Sequence, residues 1–305
     1  MDEHWHLTLI EQAQPRGSKF TQGRSIDAVD VDRVSAAGAM LATVRGQTLI
    51  GPLVRARDRL SRVVSHVLAN PSIHANDPDV RTDWAMALDE WLVHLAMCRR
   101  RTEREVESVL GSEAGDHAKS TFSRLYGEHD SFRFAWEWRN EAQHHMNPLN
   151  ISKVNAHAAT PNGHELRWQL DPAQASRLGR GWSHGSMRLL AEGRDCLAIV
   201  DDALRGCEQA IAEILVHNEE RIGEGADLVL SLCRELLETV TDETQMPISY
   251  ALTSLERKAD GGSADRDNAH LMIAMHVLRF DHATAAMLAV NGGRQVLGLP
   301  ARFEL

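Results

Sequence analysis

The chain has 305 residues, of which 43% are hydrophobic and 25% are charged, a composition typical of a soluble globular protein that excludes wholesale disorder. Its formal net charge of −10 also excludes a general nucleic-acid coat protein, because such proteins displace phosphate counterions with many Lys and Arg side chains. A nucleic-acid site whose positive charge is local is compatible with this balance.

The amino terminus and the cysteines indicate the compartment. The first residues, MDEHWHLTLIEQ, lack the basic start and long apolar run of a secretory signal, and the apolar runs elsewhere are too short to span a bilayer. The cysteines have no C-x-x-C spacing and apolar or helix-forming neighbours, which favours reduced core residues over disulfides or zinc ligands. They are Cys98, Cys196, Cys207 and Cys233. We therefore expect a cytoplasmic protein without a membrane partner.

The first part of the chain predicts a short extended segment and then helices. Residues 1–25 contain Pro and Gly without a sustained period, so they predict an extension or short strand followed by a loop. Two helical patterns follow over residues 29–68, and the turn-rich stretch NPSIHANDPD at 70–79 predicts a linker. We expect a domain boundary at that linker.

The clearest helix of the first half follows the linker. Its apolar residues recur at three- and four-residue spacing and predict one buried stripe; they are Trp84, Leu88, Trp91, Leu92 and Leu95. We expect this helix to end near Leu110, before GSEAGD. A second helical stretch follows, with a break near Gly127. It should stop close to His145 or Met146, because Pro148 disfavours helical geometry at Asn147.

The next segment has the pattern of a hairpin. Two stretches with partial alternation, ISKVNAHA and HELRWQLD, flank a Pro-Asn-Gly turn, which predicts a β-hairpin insertion near residues 150–171. A long amphipathic helix is then predicted from Leu197 onward, ending near Gly223 or Gly225.

The last part of the chain is again predicted to be helical. Apolar spacing over 228–240 indicates one more helix, and the apolar stretch 270–290 indicates a final one. The predicted fold class is therefore mainly α, an antiparallel helical bundle with a small β-hairpin insertion. The predicted division is an N-terminal helical extension (1–75), a helical domain with the hairpin (76–241) and a C-terminal helical segment (242–305).

One polar cluster stands out on an otherwise apolar helix, in the stretch WEWRNEAQHHMNPL at 136–149. Each helical residue advances about 100°, so Asn140 and His144 lie on one face, and Arg139 lies beside them. The Arg139 guanidinium is suited to gripping phosphate oxygens through two parallel hydrogen bonds. His144 lies in the last turn, where exposed carbonyls favour the imidazolium form, and histidine exchanges protons near neutral pH.

This set of groups suffices to cleave RNA, because RNA carries its own nucleophile in the 2′-hydroxyl. A base deprotonates that hydroxyl, a cation stabilises the negative charge that develops on the phosphate oxygens during the attack, and an acid protonates the leaving 5′-oxygen. One histidine cannot occupy both sides of the phosphate, so a two-fold dimer would supply the second copy. We expect neither a metal nor another cofactor in this reaction.

The motif Arg139-Asn140-x-x-x-His144 resembles the R-x4-6-H signature of the HEPN superfamily, helical ribonucleases common in toxin-antitoxin and anti-phage systems. The resemblance implies a HEPN-like domain in which Arg139, Asn140 and His144 are catalytic, with His145 giving an alternative R-x5-H spacing. It further implies a homodimeric endoribonuclease that acts on RNA, as a toxin or antiviral defence effector, with an antitoxin or regulatory protein as a partner.

Two basic segments are weaker candidates for RNA contact. The loop RLGRGWSH offers Arg177 and Arg180 for phosphates and Trp182 for stacking on a base, although the same pattern fits a simple surface loop. The run CRRRTER at 98–104 could grip the RNA backbone, but we interpret it as a solvated face that compensates the helix dipole.

Other functions fit parts of the same sequence. A non-catalytic RNA-binding or protein-interaction module, a degenerate HEPN domain, would keep the basic residues, and the two adjacent histidines could merely cap a helix end. A metal-dependent helical-bundle hydrolase could use Glu90 and His94, which lie four residues apart. The chain has no E-x-x-H pair to complete such a site, so a surface ion pair is the alternative interpretation of that spacing.

Overall fold

The computed structural model describes residues 5–12, 18–45, 48–69, 77–145, 147–160, 163–174, 182–238, 247–257 and 270–304. The helices, in chain order, are α1 (Ala28–Val44), α2 (Gly51–Ala69), α3 (Pro78–Leu110), α4 (Ser112–Glu128), α5 (Asp130–His145), α6 (His184–Ala191), α7 (Cys196–His217), α8 (Glu219–Glu238) and α9 (Phe280–Val296). The strands are β1 (Trp5–Gln12), β2 (Ser18–Ile26), β3 (Ser152–Thr160), β4 (Gly163–Leu170), β5 (Pro247–Arg257) and β6 (His270–Leu278). A 3₁₀ turn (Pro148–Ile151) follows α5.

The predicted fold class is confirmed: the described chain is mainly helical and carries a small antiparallel hairpin, β3–β4. It folds as two compact units. Unit 1 comprises Met1–Arg45, Asn218–Asn291 and Ala301–Leu305, and unit 2 comprises Gly46–His217 and Gly292–Pro300. These units do not coincide with the predicted three-part division, because unit 1 joins segments from both ends of the chain.

Unit 1 contains a sheet that the sequence did not predict. Its four strands are antiparallel in the order β2-β1-β5-β6, and β1 pairs with both β2 and β5. The predicted helical extension at residues 1–75 therefore begins with two strands, and the predicted C-terminal helical segment contains two more. On the helical side of unit 1, α1 packs against α8.

The predicted helix over residues 270–290 is wrong in its first half. Residues His270–Leu278 form strand β6, which pairs antiparallel with β5, and only the following residues are helical, in α9. A short, continuously apolar run has no period that distinguishes a buried strand from a buried helix, so pairing with a distant strand decides between them.

The predicted helix end at Gly223 or Gly225 is also wrong. The chain breaks earlier, at Asn218, and both glycines lie inside α8. A side chain at Gly225 would collide with Met40 of α1, and one at Gly223 would press on the Phe303 ring. The glycines therefore permit close approach of neighbouring groups and do not terminate the helix.

Unit 2 is a helical bundle whose core is rich in aromatic residues. Helix α3 packs against α2, α4 and α5, while α5 packs against α6 and α7. The largest side chains that are completely buried here are Phe122, Phe132, Phe134, Trp91, Trp138 and Trp168. Trp168 of the hairpin contacts Trp84 and Trp138, with ring centroids 5.1 Å and 5.9 Å away, so the hairpin is packed onto the bundle.

Local signals determine where the unit 2 helices begin and end. Asp77 caps α3 by accepting the Asp79 amide hydrogen, and Pro78 occupies the first helical turn. Gly111, with φ of +86°, separates α3 from α4 in a conformation that favours glycine. The break predicted near Gly127 falls at His129, whose Nδ1 accepts the Phe132 amide hydrogen at the start of α5.

Two further predictions are tested by the fold. All four cysteines are buried and none forms a disulfide bond, which confirms the prediction that they are core residues. None of the described helices combines the length and the apolar character that a bilayer crossing demands.

Candidate functional site

The candidate site lies at the carboxyl end of α5, which runs to His145, in agreement with the predicted stop close to His145 or Met146. The following turn is held in place by two side chains. Asn147 accepts the Leu149 amide hydrogen, and the buried Trp138 donates from Nε1 to the Pro148 carbonyl over 2.8 Å. The segment that follows α5 is therefore attached to the bundle core through Trp138.

The structure brings Arg139 and Asn140 together. The half-buried Arg139 donates from Nη1 to the Asn140 Oδ1 over 3.3 Å, and Asn140 is exposed. The Arg139 Nε is buried and finds no hydrogen-bond acceptor among the described residues. The guanidinium thus has donor capacity that the described part of the protein does not use.

A second cation, Arg100 of α3, lies near Arg139. Burial and then the charge of Arg100 lower the pKa of the Arg139 guanidinium, while Asp89 opposes this effect. Arginine nevertheless stays charged in proteins. Arg139 is therefore a partly buried cation under the influence of a second cation and of one carboxylate, and both guanidinium groups would attract a bound anion.

The arginine run at 98–104 is only partly the solvated face that the sequence suggested. Arg99 pairs with Glu103 at 2.8 Å, and its guanidinium lies over the Trp136 ring, 5.3 Å from the ring centroid. Arg100, by contrast, is exposed. The sequence interpretation placed Arg100 on a solvated face and kept RNA contact as the alternative, and the basic run was the signal for that alternative.

Several predicted site residues fall outside what the structure describes. The backbone of His144 and His145 completes α5, but their side chains are not among those described, and Arg177 and Arg180 lie in a segment outside the described residues. The convergence of His144 with Arg139 and Asn140 therefore stays a prediction.

Trp182, the predicted base-stacking residue, is packed against α5. Its ring stacks on the buried Phe134 with centroids 5.1 Å apart and an interplanar angle of 20°, so one face is occupied. The next residue, Ser183, donates its amide hydrogen to the Glu137 carboxylate over 3.0 Å. Stacking of a nucleotide on the other face of Trp182 stays a prediction.

Glu137 is a buried carboxylate that sequence reasoning did not select. It is 8% exposed and accepts hydrogen bonds from the Tyr126 hydroxyl, at 3.1 Å, and from the Ser183 amide. Burial and the Glu137 charge raise the pKa of Tyr126, which keeps this hydroxyl protonated as a donor. An acidic residue between two tryptophans on an apolar helix, WEW, was the available signal.

Glu90, which was considered with His94 as a metal ligand and for which an ion pair was the favoured interpretation, does form an ion pair, with Arg59 as its partner. Glu90 accepts a hydrogen bond from Arg59 Nη1 at 2.6 Å, so it forms an ion pair between α3 and α2. Within the described ranges, no three His, Cys, Asp or Glu side chains are grouped as metal ligands.

The described part of the site offers two guanidinium groups and an exposed carboxamide, a set that can bind phosphate oxygens.

Comparison with known proteins gives no further assignment: no family model, no curated protein and no solved structure matches the chain.

Proposed function

We propose that the chain is a metal-independent endoribonuclease of the HEPN type, in which the RNA 2′-hydroxyl attacks the adjacent phosphate. The observation that supports this most is the donor capacity that the described residues leave unused on the half-buried Arg139, whose guanidinium also feels the charges of the exposed Arg100 and of Asp89. A phosphodiester placed beside Arg139 accepts its hydrogen bonds and is attracted by both guanidinium groups.

Proton transfer is assigned to the histidines of the last turn. His144 is four residues beyond Asn140, so one helix face carries the carboxamide and the imidazole, and His145 provides the alternative spacing. Because cleavage needs both a base and an acid, we propose a two-fold homodimer in which each copy contributes one histidine. The proposed biological role, a toxin or anti-phage effector controlled by a partner protein, follows from the family resemblance alone.

The same arginine pair also supports a non-catalytic RNA-binding module, because it binds phosphate without any proton transfer. Cleavage distinguishes the two functions. We expect the purified full chain to cut end-labelled RNA at the same rate with and without EDTA, and to leave a substrate with a 2′-deoxyribose at the cut site intact. Binding without cleavage would favour the module, and cleavage that EDTA abolishes would favour the metal-dependent hydrolase.

Arg100 provides a test specific to this geometry. Replacing Arg100 with Ala removes a charge beside Arg139, and we expect RNA affinity to fall by about tenfold, since a hydrogen bond to a charged group contributes roughly 1.5–3 kcal/mol. The matched control is Arg104→Ala, which removes an exposed arginine four residues along the same helix and should change affinity little. Fluorescence anisotropy at fixed low salt measures both, and equal losses would show that only the general charge of α3 matters.

A further inference from the structure

Two histidines on neighbouring helices of unit 2 are stacked on each other. The imidazole rings of His117 in α4 and His217 in α7 are nearly parallel, with an interplanar angle of 14° and centroids 3.8 Å apart. His117 is half-buried and His217 is exposed. Neither residue belongs to the candidate nuclease site.

The stack lies at the end of α7. His217 is the last residue of this helix, and α8 begins at Glu219. The chain passes from unit 2 to unit 1 between His217 and Asn218. The stack therefore attaches to α4 the last residue of unit 2 before this passage.

The charges near the two rings offer little compensation if both become protonated. Glu213 lies one helical turn before His217 and is a carboxylate that acts on His117. Its oxygens already accept hydrogen bonds from Arg124 and Gln209. Arg124 also acts on His117, as a cation. Two imidazolium rings in this stack would therefore repel each other beside a carboxylate that is already paired.

The other helices that pack on α4 place their charges elsewhere. Glu107 of α3 pairs with Lys119 at 2.9 Å, and Lys119 lies about 200° around α4 from His117. Glu137 of α5 accepts a hydrogen bond from the Tyr126 hydroxyl, nine residues further along α4 than His117. The electrostatic environment of the stack is thus set mainly by α4 and α7.

Folding favours the neutral form of His117. Burial, and then the charge of His217, lower the pKa of His117 from its usual value of about 6.5, while Glu213 opposes this effect. Because the unfolded chain takes up this proton at a higher pH than the folded protein does, the stabilisation is complete above about pH 6.5 and declines as the pH falls below it.

We propose that the His117–His217 stack is a pH-sensitive contact that holds the end of α7 against α4 at neutral pH and opens in mild acid, when both rings are protonated. One charged ring is compatible with the stack, whereas two cations in contact repel each other. Separation lets water solvate both charges and releases the last turn of α7. The proposal does not depend on RNA cleavage, because neither histidine takes part in the proposed reaction.

An NMR titration tests whether the rings are coupled. In the full chain with isotope-labelled histidine, the His117 signal is identified by its loss in His117→Phe. His217→Phe keeps a ring but removes its charge, so we expect the titration midpoint of His117 to lie at a higher pH in this variant than in the wild type. An unchanged midpoint would overturn the proposal.

Thermal unfolding at about pH 7.5 and about pH 5.5 measures the effect on stability. His117→Phe and His217→Phe each replace one titrating ring with an uncharged one, so the melting temperature of each should fall by roughly 2–5 °C less than that of the wild type. The matched control is His184→Phe, which alters an exposed histidine at the start of α6 and should keep the wild-type pH dependence. Equal losses in all four proteins would contradict the proposal.

Hydrogen exchange locates the change. After correction for intrinsic rates, we expect the amides in the last two turns of α7 to lose protection by about tenfold between the same two pH values in the wild type. In His117→Phe their protection should stay nearly constant. Equal protection of this segment at both pH values in the wild type would refute the release of α7.

Discussion

Replacing His144 with alanine is expected to slow RNA cleavage by about 100- to 10,000-fold, the usual contribution of a general acid or base. The reason is that the 2′-hydroxyl and the 5′-leaving oxygen both need proton transfer, and His144 shares its helix face with Asn140. Single-turnover cleavage of end-labelled RNA at saturating protein measures the effect on the chemical step separately from binding.

Matched variants on the same helix turn make this result specific. Gln143→Ala alters an exposed neighbour and should retain the wild-type rate. His145→Ala tests the alternative spacing: if it abolishes cleavage while His144→Ala does not, the catalytic histidine is His145. If both histidine variants cleave like Gln143→Ala, neither imidazole transfers the proton and the proposed mechanism fails.

Arg139 is part of the same proposed catalytic set, and we expect it to have a different role. Its loss removes charge stabilisation where the phosphate gains negative charge, and Arg139→Ala should therefore also slow the chemical step. Arg139→Lys keeps the charge but loses the planar pair of donors, so it should be intermediate. The distinction from Arg100→Ala is kinetic, because Arg100 is expected to affect mainly RNA affinity.

The sequence predicted those parts of the fold that depend on local periodicity. Trp84, Leu88 and Leu95 recur on one helix face, and the structure buries them in α3. The hairpin was predicted from two alternating segments that flank a turn. The sheet of unit 1 was missed, because its middle strands pair residues near 5–12 with residues near 247–257, and no local pattern encodes such a long-range contact.

The candidate site was predictable to a similar extent. Arg139 and Asn140 are adjacent in sequence, so a short motif was sufficient to select them. Arg100 and Glu137 were not selected, because their roles arise from packing between helices: Arg100 approaches Arg139 across the interface of α3 and α5, and Glu137 meets a donor from residue 183. The basic run around Arg100 and the acidic residue between two tryptophans were visible in the sequence, but neither pattern identifies the partner that the side chain meets.

The second large effect concerns stability. Trp138→Ala is expected to lower the free energy of unfolding by about 3–5 kcal/mol, the usual cost of removing a buried aromatic side chain. Trp138 is 1% exposed, contacts Phe134 and Trp168, and donates its Nε1 hydrogen to the Pro148 carbonyl. Urea unfolding followed by far-ultraviolet circular dichroism measures the change without relying on the fluorescence of the tryptophan that is removed.

Two controls separate packing from the hydrogen bond. Trp138→Phe retains most of the apolar contact but leaves the Pro148 carbonyl without this donor, so it should cost about 1–3 kcal/mol. Trp182→Ala removes a half-buried ring at the periphery of the same cluster and should cost less than Trp138→Ala.

Because Trp138 directly precedes Arg139 and its bond to Pro148 holds the segment after α5, Trp138→Phe should also slow cleavage under conditions where the protein stays folded. A wild-type cleavage rate in that variant would show that the site does not depend on how the end of α5 is anchored.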